Sequence, residues 1–172
     1  MNTTINDTII KRLYANNTAQ TISAIEEISQ SGNSQYIPML IDTLNNSNNV
    51  DIQNKIVKLL SEIKHKDAVE ELVKAIENDK YLKIQRALIS ACWENGLDYT
   101  PYLSTFIQLL INGDYMTAFE AFTVIENSEG TISETSMNEY LQQLRSALDK
   151  ANDERKHLIH QIIQYLPSLL KV

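Results

Sequence analysis

The 172-residue sequence contains little glycine and proline and almost no cysteine. It has 4 Gly, 3 Pro and the single Cys92. Because so few turn-forming residues are present, a fold of many short strands is disfavoured and long helices are favoured. A lone cysteine excludes an internal disulfide and is typical of a reducing compartment.

Two targeting features are also missing. Residues 1–7 lack the basic segment and the following apolar run that mark a secretory signal. No stretch approaches the roughly 18 apolar residues of a membrane helix; the longest candidate, 162–170, is interrupted by Gln164, Pro167 and Ser168. We therefore expect a cytoplasmic protein that has no membrane partner.

Basic residues are absent from Ala87 to Leu144, although this stretch contains eight acidic residues. Most of the net charge of -7 belongs to this stretch, because acids and bases nearly balance before it. A nucleic-acid-binding surface needs a basic stripe to neutralise phosphates, so we predict no nucleic-acid partner. Two interpretations of the acidic stretch stay open. It is either a surface for a basic protein segment or a charge excess that keeps the protein soluble.

The chain resembles itself at a shift of 32 residues. The block 28–32 aligns with blocks 60–64, 92–96 and 124–128, and each block opens with an apolar residue. Between breakers such as Gly32 and Gly96, apolar residues recur at the i, i+3, i+4 spacing of one helix face. A period of about thirty residues with helical periodicity predicts stacked helical hairpins.

The period predicts an all-α solenoid of about four hairpins with a flanking helix at each end. Each hairpin has an outer A helix and an inner B helix. We predict a single domain with a capping helix in residues 1–16, repeats at 17–47, 48–79, 80–112 and 113–151, and a closing helix in 152–172. The predicted helices are 4–14, 17–31, 34–46, 48–64, 66–79, 81–96, 98–112, 114–128, 133–150 and 153–170. The residues Thr131 to Glu134 resemble a capping box, and Asn152 is predicted to cap the closing helix.

The segment from Asp79 to Ala91 consists of an acidic turn and the start of an A helix that carries Arg86. It resembles the compact HEAT-like repeats of bacteria, and the resemblance extends over roughly residues 17–150. The resemblance implies that the hairpins form a right-handed α-α superhelix. The resemblance implies that Arg86 pairs with an acidic turn residue, either Asp79 or Asp51. The motif is degenerate, because Asn and Ala replace this arginine in the second and fourth units.

Candidates for catalysis are few. His157 and His160 lie three residues apart on the closing helix, but a metal site needs a third and a fourth ligand, so we interpret both as exposed polar residues. Cys92 occupies a position that is aliphatic in the other repeats, which predicts a buried structural thiol. No Ser or Cys lies in a Gly-rich elbow. We therefore predict no enzymatic activity, no catalytic residue, no metal and no cofactor.

In stacked hairpins the B helices usually line the concave surface that partners occupy. The B-helix residues that are not predicted to lie in the core form a candidate binding set: Met39, Asp42, Glu71, Lys74, Tyr102, Thr105, Gln108 and Glu139. Met39, Glu71 and Tyr102 occupy equivalent positions, and Met and Tyr are common interface anchors.

These residues predict a non-enzymatic protein–protein interaction scaffold that binds a peptide or a basic protein partner. Two alternatives stay open. One is a small-molecule-binding or lyase-type protein, which would need a deep pocket with converging polar groups. The other is a self-associating structural unit, because the sequence does not specify the oligomeric state.

Overall fold

The computed structural model describes residues 5–170, which form ten α-helices and four short 3-10 helices. The α-helices are α1 Asp7–Leu13, α2 Thr18–Ser31, α3 Ile37–Asn46, α4 Val50–Glu62, α5 Asp67–Ile76, α6 Gln85–Asn95, α7 Leu103–Asn112, α8 Tyr115–Glu126, α9 Glu134–Leu148 and α10 Asp153–Tyr165. The 3-10 helices are Ser34–Tyr36, Asp79–Ile84, Thr100–Tyr102 and Leu166–Leu169. Within residues 5–170 no strand is present, so the all-α prediction is confirmed.

The helices pack in the alternating order of a helical repeat. The chain divides into a first unit that ends at Asn95 and a second unit that begins at Gly96. In the first unit α4 packs between α2 and α6, and α3 packs against α5. In the second unit α8 packs against α10, and α7 packs against α9. A helices therefore stack on A helices and B helices on B helices, which confirms the helical-repeat fold.

The repeat also determines where the core lies. The apolar residues that open the four aligned blocks are Ile28, Leu60, Cys92 and Val124, and all four are buried. The Cys92 thiol donates a hydrogen bond to the Leu88 carbonyl at 3.2 Å, so the predicted structural role of this cysteine is confirmed.

Side-chain caps set the starts of several helices. Asn17 accepts a hydrogen bond from Gln20 N at 3.0 Å, and Asn49, 32 residues later, accepts one from Asp51 N at 2.9 Å. Asn152 caps α10 as predicted, by accepting from the backbone N–H of the third helical residue at 3.0 Å.

The predicted capping box is wrong in its position. Ser133, not Thr131, is the N-cap of α9, and its hydroxyl accepts from Ser136 N at 3.0 Å. The physical reason is that Ile132 is held in an isolated bridge with Leu170, where Ile132 N donates to the Leu169 carbonyl at 2.8 Å. The helix begins only after this extended link.

Four of the predicted helices contain a 3-10 segment. Ser34–Tyr36 precedes α3, whose second residue is Pro38. Thr100–Tyr102 precedes α7 and contains Pro101. Proline lacks an N–H, which suits it to the first turn of a helix. Asp79–Ile84 precedes α6, so this A helix begins at Gln85 and not at residue 81.

The opening helix begins at Asp7, because Asn6 caps it by accepting a hydrogen bond from Thr8 N at 2.9 Å. Asn6 N also donates to the Tyr36 hydroxyl at 2.7 Å, which fixes the segment before the helix. Residue 4, where the sequence predicts the helix to start, lies outside the described residues.

Close backbone approach requires a glycine in the second unit. A Cβ atom at Gly130 would lie 2.6 Å from Thr100 Oγ1 and 2.7 Å from Asp98 Oδ2. Gly130 N donates to Thr100 Oγ1 at 3.0 Å. This bond ties the loop before α9 to the turn before α7.

Candidate functional site: the B-helix surfaces

The eight candidate binding residues divide equally between the two units. Met39 and Asp42 lie on α3, Glu71 and Lys74 on α5, Tyr102 in the 3-10 turn Thr100–Tyr102, Thr105 and Gln108 on α7, and Glu139 on α9. None of the eight is buried. We name the exposed side of α3 and α5 B surface 1, and the exposed side of Tyr102, α7 and α9 B surface 2.

Asp42 is the centre of a polar cluster on B surface 1. Its Oδ1 accepts hydrogen bonds from Lys80 Nζ at 2.5 Å and from the Tyr81 hydroxyl at 2.7 Å. The Lys80 ammonium also lies 4.9 Å from the centroid of the Tyr81 ring. Lys80 and Tyr81 are absent from the predicted site because the sequence assigns them to a turn and an outer helix. The 3-10 segment Asp79–Ile84 brings them to α3.

The cluster shifts the titration of all three groups. Burial raises the pKa of the Asp42 carboxyl, but hydrogen bonds from Lys80 and Tyr81 outweigh this effect, so the net pKa is lowered. The hydrogen bond to Asp42 raises the pKa of Lys80. Burial, followed by the hydrogen bond to Asp42, raises the pKa of Tyr81. At neutral pH the Asp42 carboxylate is therefore ionised and largely compensated by Lys80.

A second group of charges on B surface 1 is also internally paired. Lys74 Nζ lies 2.8 Å from Glu70 Oε1 and 3.0 Å from Glu71 Oε1. The hydrogen bonds to Glu70 and then Glu71 raise the pKa of Lys74. Such exposed pairs add little stability, but they occupy the acids that a basic partner would need.

B surface 2 is joined by amide side chains. Gln108 Nε2 on α7 donates to Gln143 Oε1 on α9 at 3.0 Å, and Asn112 Nδ2 donates to Gln108 Oε1 at the same distance. Glu139 is exposed one turn before Gln143, on the same side of α9. Among the described residues, no salt bridge involves Glu139. This surface therefore combines hydrogen-bonding amides with an uncompensated negative charge.

Aromatic residues border B surface 2. Tyr102 is half-buried. The Tyr99 and Phe106 rings, which precede and follow it in the sequence, are buried and meet edge to face, with centroids 5.7 Å apart and an interplanar angle of 81°. Tyr140 is half-buried beside Glu139, and burial and the Glu139 charge together raise the pKa of its hydroxyl. Tyr140 was not in the predicted site, although its position next to Glu139 on a predicted B helix could have indicated it.

The resemblance to HEAT-like repeats implies that Arg86 pairs with Asp79 or Asp51, and this prediction is wrong. Arg86, Asp79 and Asp51 are all exposed, and the structure shows no ion pair between the arginine and either acid. Because residues 79–84 form a 3-10 segment, which has three residues per turn, the acidic turn and Arg86 do not keep the register of a continuous α-helix.

Two clefts of the first unit contain none of the candidate residues. A cleft of about 220 Å³ in the first unit is lined by residues that include Gly32, Glu62 and His65. This volume is below the roughly 300–1,000 Å³ of typical small-molecule sites. A wider polar hollow of about 460 Å³ lies among turn residues that include Asn17 and Asn49. Neither contains any of the eight candidate residues.

Metal-binding geometry is also absent from residues 5–170, because no three His, Cys, Asp or Glu side chains there are grouped closely enough to hold an ion. His157 and His160 are both exposed on α10. In the same range, every helix is too short or too polar to cross a lipid bilayer.

Comparison with protein families agrees with the fold. The model that describes HEAT repeats matches residues 6–93, just over half of the chain. The match covers most of the first unit and includes α1, which the sequence places before the repeats. No curated protein matches the chain. HEAT repeats commonly mediate protein–protein interactions. On this match, and on the stacking of A and B helices, the chain belongs to the HEAT-repeat family.

Proposed function

We propose that this protein is a non-enzymatic protein–protein interaction scaffold that binds a basic peptide or a basic protein segment through its B-helix surfaces. Family membership supports the general role, since HEAT repeats commonly mediate such interactions. The observation that carries the preference for a basic partner is the stretch from Ala87 to Leu144, which contains acids and no Lys or Arg.

B surface 2 is the better site for such a partner. A basic side chain that approached Asp42 on B surface 1 would compete with Lys80, and one that approached Glu71 would compete with Lys74. Glu139 on B surface 2 has no such competitor among the described residues. Opposite charges steer association and define partner choice, so the uncompensated surface attracts a cationic segment more strongly.

Tyr102, Thr105, Gln108 and Glu139 would then contact the partner, each with a different role. The half-buried Tyr102 provides a rigid amphipathic anchor. Gln108 and its hydrogen-bonded neighbour Gln143 present amide groups that pair with the backbone of an extended or helical segment. Met39, Asp42, Glu71 and Lys74 would contribute a secondary contact on B surface 1.

Site-specific photo-crosslinking tests the proposal. Tyr102 is replaced by a photoreactive benzoylphenylalanine in the full chain, expressed in cells of its source. Gln161, which is exposed on α10, is the matched control position. We expect a crosslinked partner from position 102 but not from position 161, and its attached peptide, identified by mass spectrometry, to be rich in Lys and Arg. Glu139→Lys should weaken the crosslink.

Three results would contradict the proposal. Equal crosslinking from both positions would show that the contact is not confined to the B surface. An acidic crosslinked segment would refute the charge argument. An unchanged yield after Glu139→Lys would remove Glu139 from the interface.

A further inference from the structure

Exposed apolar side chains cluster on α8. Among the described residues, the large exposed apolar side chains of the first unit are separated from one another along the chain: Tyr14, Val50 and Leu82. Three others lie within one and a half turns of α8 and are 41, 45 and 43% exposed: Tyr115, Met116 and Phe119. Because i, i+3 and i, i+4 neighbours share a helix face, these three side chains form one surface, the α8 patch.

The helix holds the patch in a fixed position. The Phe119 ring stacks on the Phe122 ring, with centroids 6.3 Å apart and an interplanar angle of 25°, and Phe122 is buried. The opposite side of α8 packs against α7 and α10. At about 200 Å² for a large side chain, the α8 patch exposes roughly 250 Å². A stable dimer buries about 800 Å² on each partner, so this area suits a short segment better than a second folded copy.

Negative charge borders the patch. Glu126 lies seven residues after Phe119, on the same side of α8, and is exposed. Glu129 follows in the next loop and is also exposed. Burial raises the pKa of the Tyr165 hydroxyl, and the negative charges of Glu129 and Glu126 raise it further.

One basic group, Arg155, lies at the start of α8 and is already engaged by backbone carbonyls. The Arg155 guanidinium donates hydrogen bonds to the carbonyl oxygens of Ile111 and Gly113, just before α8 begins. The patch therefore combines apolar anchors with acids that a cation from outside the chain can pair with.

We propose that the α8 patch is a docking surface for an amphipathic, Lys- and Arg-bearing helix of a protein partner. The apolar side chains of that helix, spaced i, i+3, i+4, pack on Met116 and Phe119, and its basic residues lie next to Glu126 and Glu129. The α8 patch belongs to an A helix and not to a B surface, so this inference does not rest on the proposed function. The same acids repel an anionic lipid surface, and a second copy of this chain would bring like charges to the contact.

Fluorescence anisotropy with a defined probe tests the inference on the full chain. The probe is a labelled helix of about 18 residues with Leu at i, i+3, i+4, i+7 spacing and Lys at the other positions. A twin with Glu in place of Lys is the charge control. We expect the Lys probe to bind and the Glu twin not to bind. Met116→Ser and Phe119→Ser should each weaken binding about tenfold.

Matched control variants come from the first unit. Val50 and Leu82 are 64 and 60% exposed, more than any residue of the patch, so Val50→Ser and Leu82→Ser should leave the affinity unchanged. Because Phe119 stacks on Phe122, Phe119→Ser is accompanied by a thermal melt. If that variant unfolds, Met116→Ser decides the outcome.

Several outcomes would overturn the inference. Equal weakening by Leu82→Ser would show non-specific adsorption. Loss of binding in Tyr102→Ala but not in Met116→Ser would place the probe on B surface 2, which would support the proposed function and refute this one. Dimers in light scattering that Met116→Ser abolishes would make a second copy the occupant. Patch-dependent binding to vesicles of anionic phospholipid would assign the surface to a membrane.

Discussion

Arg155 should be one of the most important polar residues for the stability of the second unit. From α10 its Nη1 donates to the Ile111 carbonyl at 2.9 Å, and its Nη2 donates to the Gly113 carbonyl. These carbonyls are at the C-terminal end of α7, where the last oxygens of a helix lack backbone partners and the helix dipole favours a cation. Arg155 therefore fixes the end of α7 to a helix more than forty residues later in the chain.

The loss of unfolding free energy on replacing Arg155 follows from the hydrogen bonds that this residue makes. A hydrogen bond to a charged group contributes about 1.5–3 kcal/mol, and partial exposure of Arg155 brings its two bonds to about 3 kcal/mol together. Its Nε is buried without a hydrogen-bond partner, and removing that group returns about 1 kcal/mol. Arg155→Met keeps a long apolar side chain. The net loss should be about 2 kcal/mol, which lowers the Tm of a protein of this size by roughly 4–8 °C.

Scanning calorimetry measures this shift against two companion variants. Arg145→Met removes an arginine that is exposed on α9 and forms no ion pair in the described part of the chain, so its Tm should equal that of the unchanged protein. Arg155→Lys keeps the charge but lacks the two guanidinium nitrogens that donate in parallel, so its Tm should lie between those of Arg155→Met and the unchanged protein. A Tm for Arg155→Met within about 1 °C of the unchanged protein would refute the assignment of Arg155 as the helix-end cap.

Three further results are expected. Gly130→Ala should lower the free energy of unfolding by about 1–3 kcal/mol, because the new methyl group would overlap Thr100 Oγ1; an unchanged urea midpoint would contradict this. Because the folded pKa of Asp42 is lowered, its contribution to stability is present above the unfolded pKa of about 4 and is lost as the pH falls through the folded pKa. The difference between the unchanged protein and Asp42→Asn should be constant from about pH 5 to 7 and should shrink below about pH 4, and denaturant titrations across this range would show whether it does. The double change of His157 and His160 to Ala should leave the crosslink from position 102 intact, and its loss would show that these histidines participate in binding.

The helical architecture could be predicted because its signal is local and repeated. Ile28, Leu60, Cys92 and Val124 recur at the period of the repeat, and burial of each follows from its place on a helix face. The Asn17 and Asn49 caps recur at the same period, so helix starts were also visible in the sequence. The 3-10 segments were not, because they depend on how each turn packs against its neighbours.

The polar contacts of the candidate site could not be predicted in the same way. Asp42 and Tyr81 are 39 residues apart, and Gln108 and Gln143 are 35 residues apart. Neither separation equals the period of 32, so an offset of a few residues at a turn decides which side chains meet. The α8 patch lies on the outer face of an A helix, whereas the architecture of stacked hairpins predicts partner binding on the B helices.

The distribution of charge gives the two units different capacities for binding. In the first unit, acids on B surface 1 are paired with Lys74 and Lys80. A cationic partner would have to displace these lysines, so it would gain little binding free energy there. In the second unit, Glu139 on B surface 2 and Glu126 beside the α8 patch lie in the stretch without any Lys or Arg. Both surfaces with uncompensated acids therefore belong to the second unit, on A and B helices alike. If charge selects the partner, basic substitutions at Glu139 and Glu126 should each weaken a different contact, whereas the same change at Glu71, which Lys74 already pairs with, should have a smaller effect.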